Sequence, residues 1–594
     1  MNDSSVLGKN WILKNYNEET VNFLKDNFNL SEIVSKLIAI RKIKLEEVNL
    51  FLKPKIKNSL PNPFVLKDMS KTVDRTIKAI LNSEKIGLFG DYDVDGASST
   101  AVLGNYFNSI NQKIEIYIPD RKTEGYGPNK KAFEKLISNG SKLIFTVDCG
   151  TLSFEPIEYS KKNNVDVLVL DHHQSELKLP EAFSIVNPNR YDDNSDLKYL
   201  CAAGVCFMFL VALNKKLREI NWFKEKKIKE PDLINYLDLV TLGTVCDVVP
   251  LVGLNRAIVS QGLQILNTKS NQGLKTLKNI CGIDTHINTY HLGYILGPRI
   301  NAGGRVGKCS HGANLLLSKD TKEIFKIAME LDTYNNERKV IESNLLKKIE
   351  NKIILDPKEP VIVLAGHNWH GGIIGIIASR LKEKYNKPTI IISVENGVGR
   401  ASARSVVGFD IGTLIINAVQ NNILRKGGGH KMAGGFTIDE NKIQDFKNFI
   451  IKKFSKVEKK INKTDTLFYD SKISPSALNL DFFLEINSLS PFGSGNPEPR
   501  FVIEDLELLK SSIVGEKHIK SFFSAKDGSV VESVTFNAIK TDLEGYLLSK
   551  KRKKINIFGK LSLNEWKGRK NVEFIIDDIS VNKTVNNSVP SSNG

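Results

Sequence analysis

Leu88-Phe89-Gly90-Asp91-Tyr92-Asp93-Val94-Asp95-Gly96 is the stretch on which the reading of this chain turns. The apolar run from Ile86 to Phe89 predicts a buried strand, which stops at Gly90. Three carboxylates follow at alternate positions, and beyond Gly96 the pattern from Ala97 to Phe107 is that of a helix. The acids therefore sit on a loop leaving a strand, where open α/β sheets place their sites. Carboxylates forced this close hold their protons unless a cation neutralises them. Hard oxygen ligands at this density suit Mg²⁺ or Mn²⁺. Alone, the same hexapeptide reads equally well as a solvated acidic turn or as helix-capping aspartates, so the flanking sequence decides.

From about residue 70 to 190, strands alternate with helices. Strands are predicted at Ile114–Ile118, Leu143–Val147, Val165–Leu170 and Ser184–Val186, and helices at Thr72–Leu81 and Lys131–Asn139. This alternation predicts a parallel, doubly wound sheet. Its other strand ends carry Pro119-Asp120-Arg121, Asp148-Cys149-Gly150 and Asp171-His172-His173. C-terminal strand ends line one edge of such a sheet, so these acids and imidazoles should converge. The histidines favour Mn²⁺ over Ca²⁺. An aspartate that bridges two ions would suit in-line attack on a phosphodiester.

Residues 200–310 read as mainly helical. The apolar segment Leu233–Val249 holds Asp247, which is costly there unless paired, ligated or capping a helix. Leu296-Gly297-Pro298-Arg299-Ile300-Asn301-Ala302-Gly303-Gly304-Arg305 reads as a Gly-rich loop whose two arginines suit phosphate recognition. These stretches, with Val186–Asn189, Gly243–Pro250, Trp369–Gly372, Gly427–Gly435 and Pro491–Pro499, follow one another in a definite order over roughly residues 60–510. In that order they resemble the DHH phosphoesterase superfamily, and within it the single-strand-specific 5′→3′ DNA exonucleases.

The resemblance implies metal-binding and catalytic roles for Asp93, Asp95, Asp148, His172 and Asp247, with Asp148 as the bridge. Asp91 would be a further ligand, and His173 would serve catalysis by touching the scissile phosphate. Arg121, with Arg299 or Arg305 and the adjacent Asn301, would hold the terminal and neighbouring phosphates. Cys149 departs from the family, which usually has Asn after that aspartate, and the Arg121–Gly127 loop differs slightly from the usual spelling.

Lys319–Lys352 shows helical spacing and is implied to join two catalytic-core domains, though an ordinary amphipathic helix reads the same way. From Pro360 a second α/β unit is expected, with strands at Val361–Leu364 and Thr389–Ser393 and a helix at Gly372–Glu383. Its Gly427-Gly428-Gly429-His430 resembles the substrate-contacting Gly-rich loop of the DHH-associated domain. Gly428, Gly429, His430 and Arg404 of the stretch Arg400–Ser405 would then face the cleft. A groove too narrow for duplex would explain single-strand selectivity. From about 460 short alternating strands predict an antiparallel OB-type barrel, a fold that binds single strands on basic, aromatic surfaces. Most of its aromatics, Phe522, Phe523, Phe536, Phe558 and Phe574 among them, read as core; Trp566 reads as exposed, and Lys550–Lys554 as basic.

The expected organisation is an N-terminal helical segment at 1–60, capping the catalytic domain; a DHH domain at 61–315; a connecting helix at 316–355; a smaller α/β domain at 356–460; an OB-fold at 461–581; and a disordered tail at 582–594. The net charge of +17 points to a polyanionic partner, although an AT-rich genome that inflates Lys would do the same. Six cysteines without C-x-x-C spacing suit a reduced, cytoplasmic protein. No apolar run is long enough to span a membrane, and Met1–Leu13 lacks the core of a secretory signal. The expected function is a Mn²⁺- or Mg²⁺-dependent exonuclease, using two ions, that degrades single-stranded DNA to mononucleotides. The resemblance implies a monomer working in repair and recombination beside a RecQ-type helicase and a single-strand-binding protein. Two rivals stay open: a DHH phosphodiesterase for short RNA or linear dinucleotides, and a non-catalytic single-strand-binding scaffold.

Overall fold

The structure is a computed structural model that describes residues 5–352, 359–458, 466–549, 554–566 and 569–581. The chain divides into two units. One holds Pro61–Val249 and Gly262–Lys463, the other Met1–Leu60, Pro250–Gln261 and Thr464–Gly594. No helix among the described residues is long and apolar enough to cross a membrane.

In the first unit, five parallel strands lie in the order Ile114–Tyr117, Ile86–Gly90, Leu143–Val147, Asp166–Leu170, Ser184–Val186. Ile86–Gly90 and Leu143–Val147 are buried at every position, as strands covered on both faces must be. Strand order reverses at Ile86–Gly90, so its C-terminal end opens onto the crevice where such sheets bind ligands. The next helix, Val94–Ser109, is buried on nearly all sides; helices Ala202–Glu219 and Leu237–Cys246 pack on it. That enclosure holds Asp95 at the centre of the fold.

The long helix Thr321–Lys352 leads to a second sheet, ordered Lys426–His430, Ala433–Asp439, Val398–Arg404, Thr389–Glu395, Ile362–His367. Only the last two strands run parallel.

Two expected loops are regular structure. Leu296–Arg305 is not a loop: a π-helix, His291–Leu296, runs into an α-helix, Gly297–Val306. Its glycines weaken local helicity, but tertiary contact decides. A Cβ on Gly304 would stand 2.8 Å from the Tyr92 ring, so the helix packs there only with glycine. Gly427–His430 belongs to the sheet-edge strand Lys426–His430, whose backbone pairs with Ala433–Asp439.

The second unit is built on a barrel of Phe501–Val514, His518–Ser524, Val530–Thr535, Arg569–Val581 and Lys554–Trp566, closed by pairing of the first strand with the last. Closure leaves no free sheet edge. The N-terminal helices join the barrel's core. Leu24, Val34, Leu37, Val48 and Phe51 share one apolar core with Phe501, Ile503 and Phe574 of the barrel. Likewise Pro250–Gln261, expected within the DHH domain, belongs to this unit. Phe523, Phe558 and Phe574 are core, whereas Phe536 is 57% exposed. Phe522 is half-buried beneath Lys510, at 4.6 Å. Phe522 and Phe536 are therefore aromatics open to a ligand; the Trp566 side chain, Lys550–Lys553 and the tail from 582 lie outside the described residues.

Candidate metal centre and phosphate site

Four segments bring their acids and imidazoles to one place. Asp91, Asp93 and Asp95 follow the Ile86–Gly90 strand, Asp148 follows Leu143–Val147, and His172 and His173 follow Asp166–Leu170. Asp247 ends the helix Leu237–Cys246. A carboxylate at a helix C-terminus opposes the helix dipole, so Asp247 is not there as a cap. Two backbones are in the left-handed region, Asp148 at φ 59° and Val248 at φ 60°. That conformation is unusual for any L residue and rarest for a β-branched one; strain of this kind gathers at functional sites.

Three sets of donor atoms each lie within 4.8 Å of one another: Asp91–Asp93–Asp148, Asp148–His172–His173 and Asp95–His172–Asp247. Asp148 and His172 each belong to two sets. His172 Nε2 stands 3.4 Å from Asp148, 3.5 Å from Asp247 and 3.9 Å from Asp95. Burial and the neighbouring carboxylates push Asp91 and Asp148 well above the usual carboxylate range. Burial raises Asp95 too, and carries Asp247 to about 8. No Lys or Arg forms an ion pair with Asp91, Asp93, Asp95, Asp148 or Asp247 among the described residues. A hard divalent cation is the partner this oxygen-rich, imidazole-bearing set fits, and Mn²⁺ or Mg²⁺ suits the donors.

The helix termini position these ligands. Ala202 and Ala203 donate their N–H groups to the two Asp95 oxygens, at 2.7 and 3.0 Å, at the start of helix Ala202–Glu219. Gly243 lets the neighbouring helix approach the same carboxylate, since a Cβ there would stand 2.5 Å from Asp95 Oδ1. Gly243→Ala is therefore expected to raise the Mn²⁺ concentration needed for half-maximal thermal stabilisation by about 10–100-fold, the usual scale for disturbing a ligand's supports. A wild-type Mn²⁺ titration of the variant would refute this.

His173 is oriented by a chain of buried contacts that spacing does not reveal. Asn187 donates to Thr151 Oγ1 at 2.8 Å, Thr151 donates to Asp171 at 2.6 Å, and His173 Nδ1 meets Asp171 at 2.7 Å. Burial opposes the charge of His173, but the Asp171 carboxylate outweighs it and lifts the imidazole to about 9. The far ring nitrogen meets the Tyr126 hydroxyl at 3.2 Å. The sequence marks Asp171 only as a strand-end acid and gives Thr151, Asn187 and Tyr126 no role at the site; Asp171, Thr151 and Asn187 act through His173, and only folding joins them.

Of the predicted phosphate-binding residues, Arg121 stacks over Tyr92 at 5.5 Å. Arg305 donates to the Gly372 carbonyl at 3.1 Å. Burial lowers Arg305 to about 10, and the charges of Arg121, Arg338 and Arg404 disfavour its own while Asp93 favours it. The charges of Arg121, Arg404 and Asp93 thus all reach Arg305. Arg404 is held by Ser379 and Ser402, at 3.1 Å each. Its strand neighbour Ser405, expected in the cleft, turns inward and donates to Phe409 O at 2.6 Å. Arg299 leaves the set: it pairs with Asp332 on the long helix at 2.8 Å. Asn301 is half-buried on the same helix as Arg305. Gly428, Gly429 and His430 lie along the edge strand.

A parallel sheet with acidic strand ends and a histidine pair, a long helix, a mixed second sheet and a closed barrel define a DHH-type phosphoesterase carrying an OB-fold. Family profiles agree: the DHH family N-terminal domain matches residues 85–244, the DHHA1 domain 358–456 and the RecJ OB domain 469–578. The chain is 31% identical over 583 residues to the single-stranded-DNA-specific exonuclease RecJ of Bacillus subtilis, covering 96% of this chain and 71% of that one. It is 32% identical over 531 residues to the Escherichia coli protein of the same name, covering 86% and 90%. The crystal structure of Thermus thermophilus RecJ with Mn²⁺ superposes with a TM-score of 0.79 at 26% identity, over 96% of this chain and 79% of that one. The chain belongs to the RecJ family.

Proposed function

We propose that this protein is a 5′→3′ exonuclease for single-stranded DNA, releasing mononucleotides. The observation that carries the reading is the three overlapping donor sets linked by Asp148 and His172, with Arg121 and Arg305 near them. Asp91, Asp93, Asp95, Asp148, His172 and Asp247 would hold two ions. When bound, Mn²⁺ or Mg²⁺ supplies Lewis acidity and an activated water. Arg121, Arg305 and Arg404 clamp phosphate oxygens, and a guanidinium beside non-bridging oxygens also offsets charge that grows in the transition state. His173, held protonated by Asp171, donates a hydrogen bond toward the scissile phosphate. The hydrogen bond from Arg305 to Gly372 ties the second α/β domain to the DHH domain, and a groove between them too narrow for duplex would select a single strand. The OB barrel, with Phe522 and Phe536 open, supports capture of the strand. The family resemblance extends the proposal to repair and recombination in the cytoplasm, as a monomer beside a RecQ-type helicase and a single-strand-binding protein.

The test is single-stranded DNA labelled at its 5′ or 3′ end, incubated with Mn²⁺ or Mg²⁺. Immediate release of the 5′ label as mononucleotide, with the 3′-labelled strand shortening gradually, is the expected result. Loss of the 3′ label first would overturn the polarity. Cleavage restricted to very short oligomers would favour the short-oligonucleotide phosphodiesterase, and binding without cleavage the scaffold.

A further inference from the structure

Arg299, paired with Asp332, lines a cavity of about 690 Å³ along the long helix. Five cations line it, Arg299, Arg338, Lys339, Lys347 and Arg380, against two carboxylates, Glu342 and Glu350. Those carboxylates are already engaged: Glu342 takes Arg338 at 2.8 Å and Arg380 at 3.2 Å, and Glu350 takes Lys384. Lys339 and Lys347 form no ion pair among the described residues, so positive charge is left over. At the mouth stands Tyr294, 74% exposed and stacked on Tyr290 with ring centroids 5.2 Å apart. Tyr294 lies on the π-helix His291–Leu296, a geometry that recurs at functional sites.

We propose that this groove binds a nucleoside 5′-phosphate, the base stacking on Tyr294 and the phosphate meeting Lys339 and Lys347. Unpaired cations beside an exposed aromatic platform are what single-stranded nucleic acid selects. The nucleotide comes either from the strand beyond the catalytic centre or from the released product. This inference rests on the nuclease reading for the source of the nucleotide, but its binding test does not.

The test is the full-length triple variant Tyr294→Ala, Lys339→Glu, Lys347→Glu, all three at exposed positions. In calorimetric titration with 5′-dAMP in EDTA, the variant should bind at least about 10-fold more weakly, the scale of one lost stacking contact with its charges. Its thermal midpoint should match the wild type. A KM raised for a 30-nucleotide substrate but not for a 4-nucleotide one, at unchanged kcat, identifies the strand as source. Unchanged KM for both, with weaker inhibition by added dAMP, identifies the product. Wild-type dAMP affinity in the variant overturns the proposal. If neither protein cleaves DNA, the nuclease reading fails while the dAMP titration still decides the groove.

Discussion

Asp148→Asn will lower nucleotide release by more than the roughly 10–100-fold that follows loss of a residue merely supporting a ligand. It will leave single-strand binding, measured in EDTA, within a few-fold of wild type. The substitution is isosteric, so it changes charge rather than packing. Asp148 is the carboxylate common to two donor sets, and it stands among Asp91, Asp93 and Asp95 at a buried strand end. Without a cation these carboxylates repel and the cluster holds protons. Removing one charge therefore relieves the metal-free protein, whose thermal midpoint should hold or rise. The wild type, in contrast, gains stability with Mn²⁺ concentration, because a ligand that binds only the folded state stabilises it by mass action. The variant should lose most of that gain. The two measurements separate a metal ligand from a structural acid: a structural acid, once removed, would lower the metal-free midpoint and leave the Mn²⁺ response intact. Asp148→Asn with wild-type release and a wild-type Mn²⁺ response would remove Asp148 from the centre.

The largest stability effect is expected at Arg256, in the unit that does not hold the metal centre. The residue is 2% exposed and forms no ion pair with a carboxylate among the described residues. It donates instead to four backbone carbonyls, Phe51 at 2.8 Å, Leu489 and Ser490 at 2.9 Å, and Pro491 at 3.2 Å. It also lies 3.9 Å over the Phe51 ring. One side chain thus ties the N-terminal helices to the Ser490–Pro499 segment. Arg256→Met keeps the stem and strips the donors. Each buried carbonyl left unpaired costs about 1–3 kcal/mol, reduced where water enters, so a loss of about 3–5 kcal/mol is expected in denaturant unfolding. Arg256→Lys should recover only part of it, since an ammonium cannot span four carbonyls in a plane. A loss below about 1 kcal/mol for Arg256→Met would show that the carbonyls find other donors.

Asn496 shows how a motif can be seen and its work missed. Pro491–Pro499 stands out in the sequence as a family stretch with no stated role. In the fold Asn496 is buried, donates to Leu489 O and Pro491 O at 2.9 Å each, and accepts from Arg41 at 2.7 Å. Asn496 holds this loop in shape.

The sequence by itself determined the sheet and the acids at its edge. A strand is a run of apolar residues, its end is a glycine or an acid, and both are local facts that hold whatever surrounds them. Hence Leu143–Val147 and Ser184–Val186 have the predicted bounds, and Asp93, Asp148, His172 and Asp247 meet as their strand and helix ends require. Only the tertiary structure decided the rest. Leu296–Arg305 has the glycines of a loop, yet packing on Tyr92 makes part of it a helix and turns Arg299 toward Asp332. Residues 1–60 are amphipathic, and amphipathicity says that a face is buried but not against what; the barrel core supplied the answer. The Asn187–Thr151–Asp171–His173 chain joins residues up to 36 positions apart. Such contacts exist only once the chain has closed the loops between them, so no local pattern carries them.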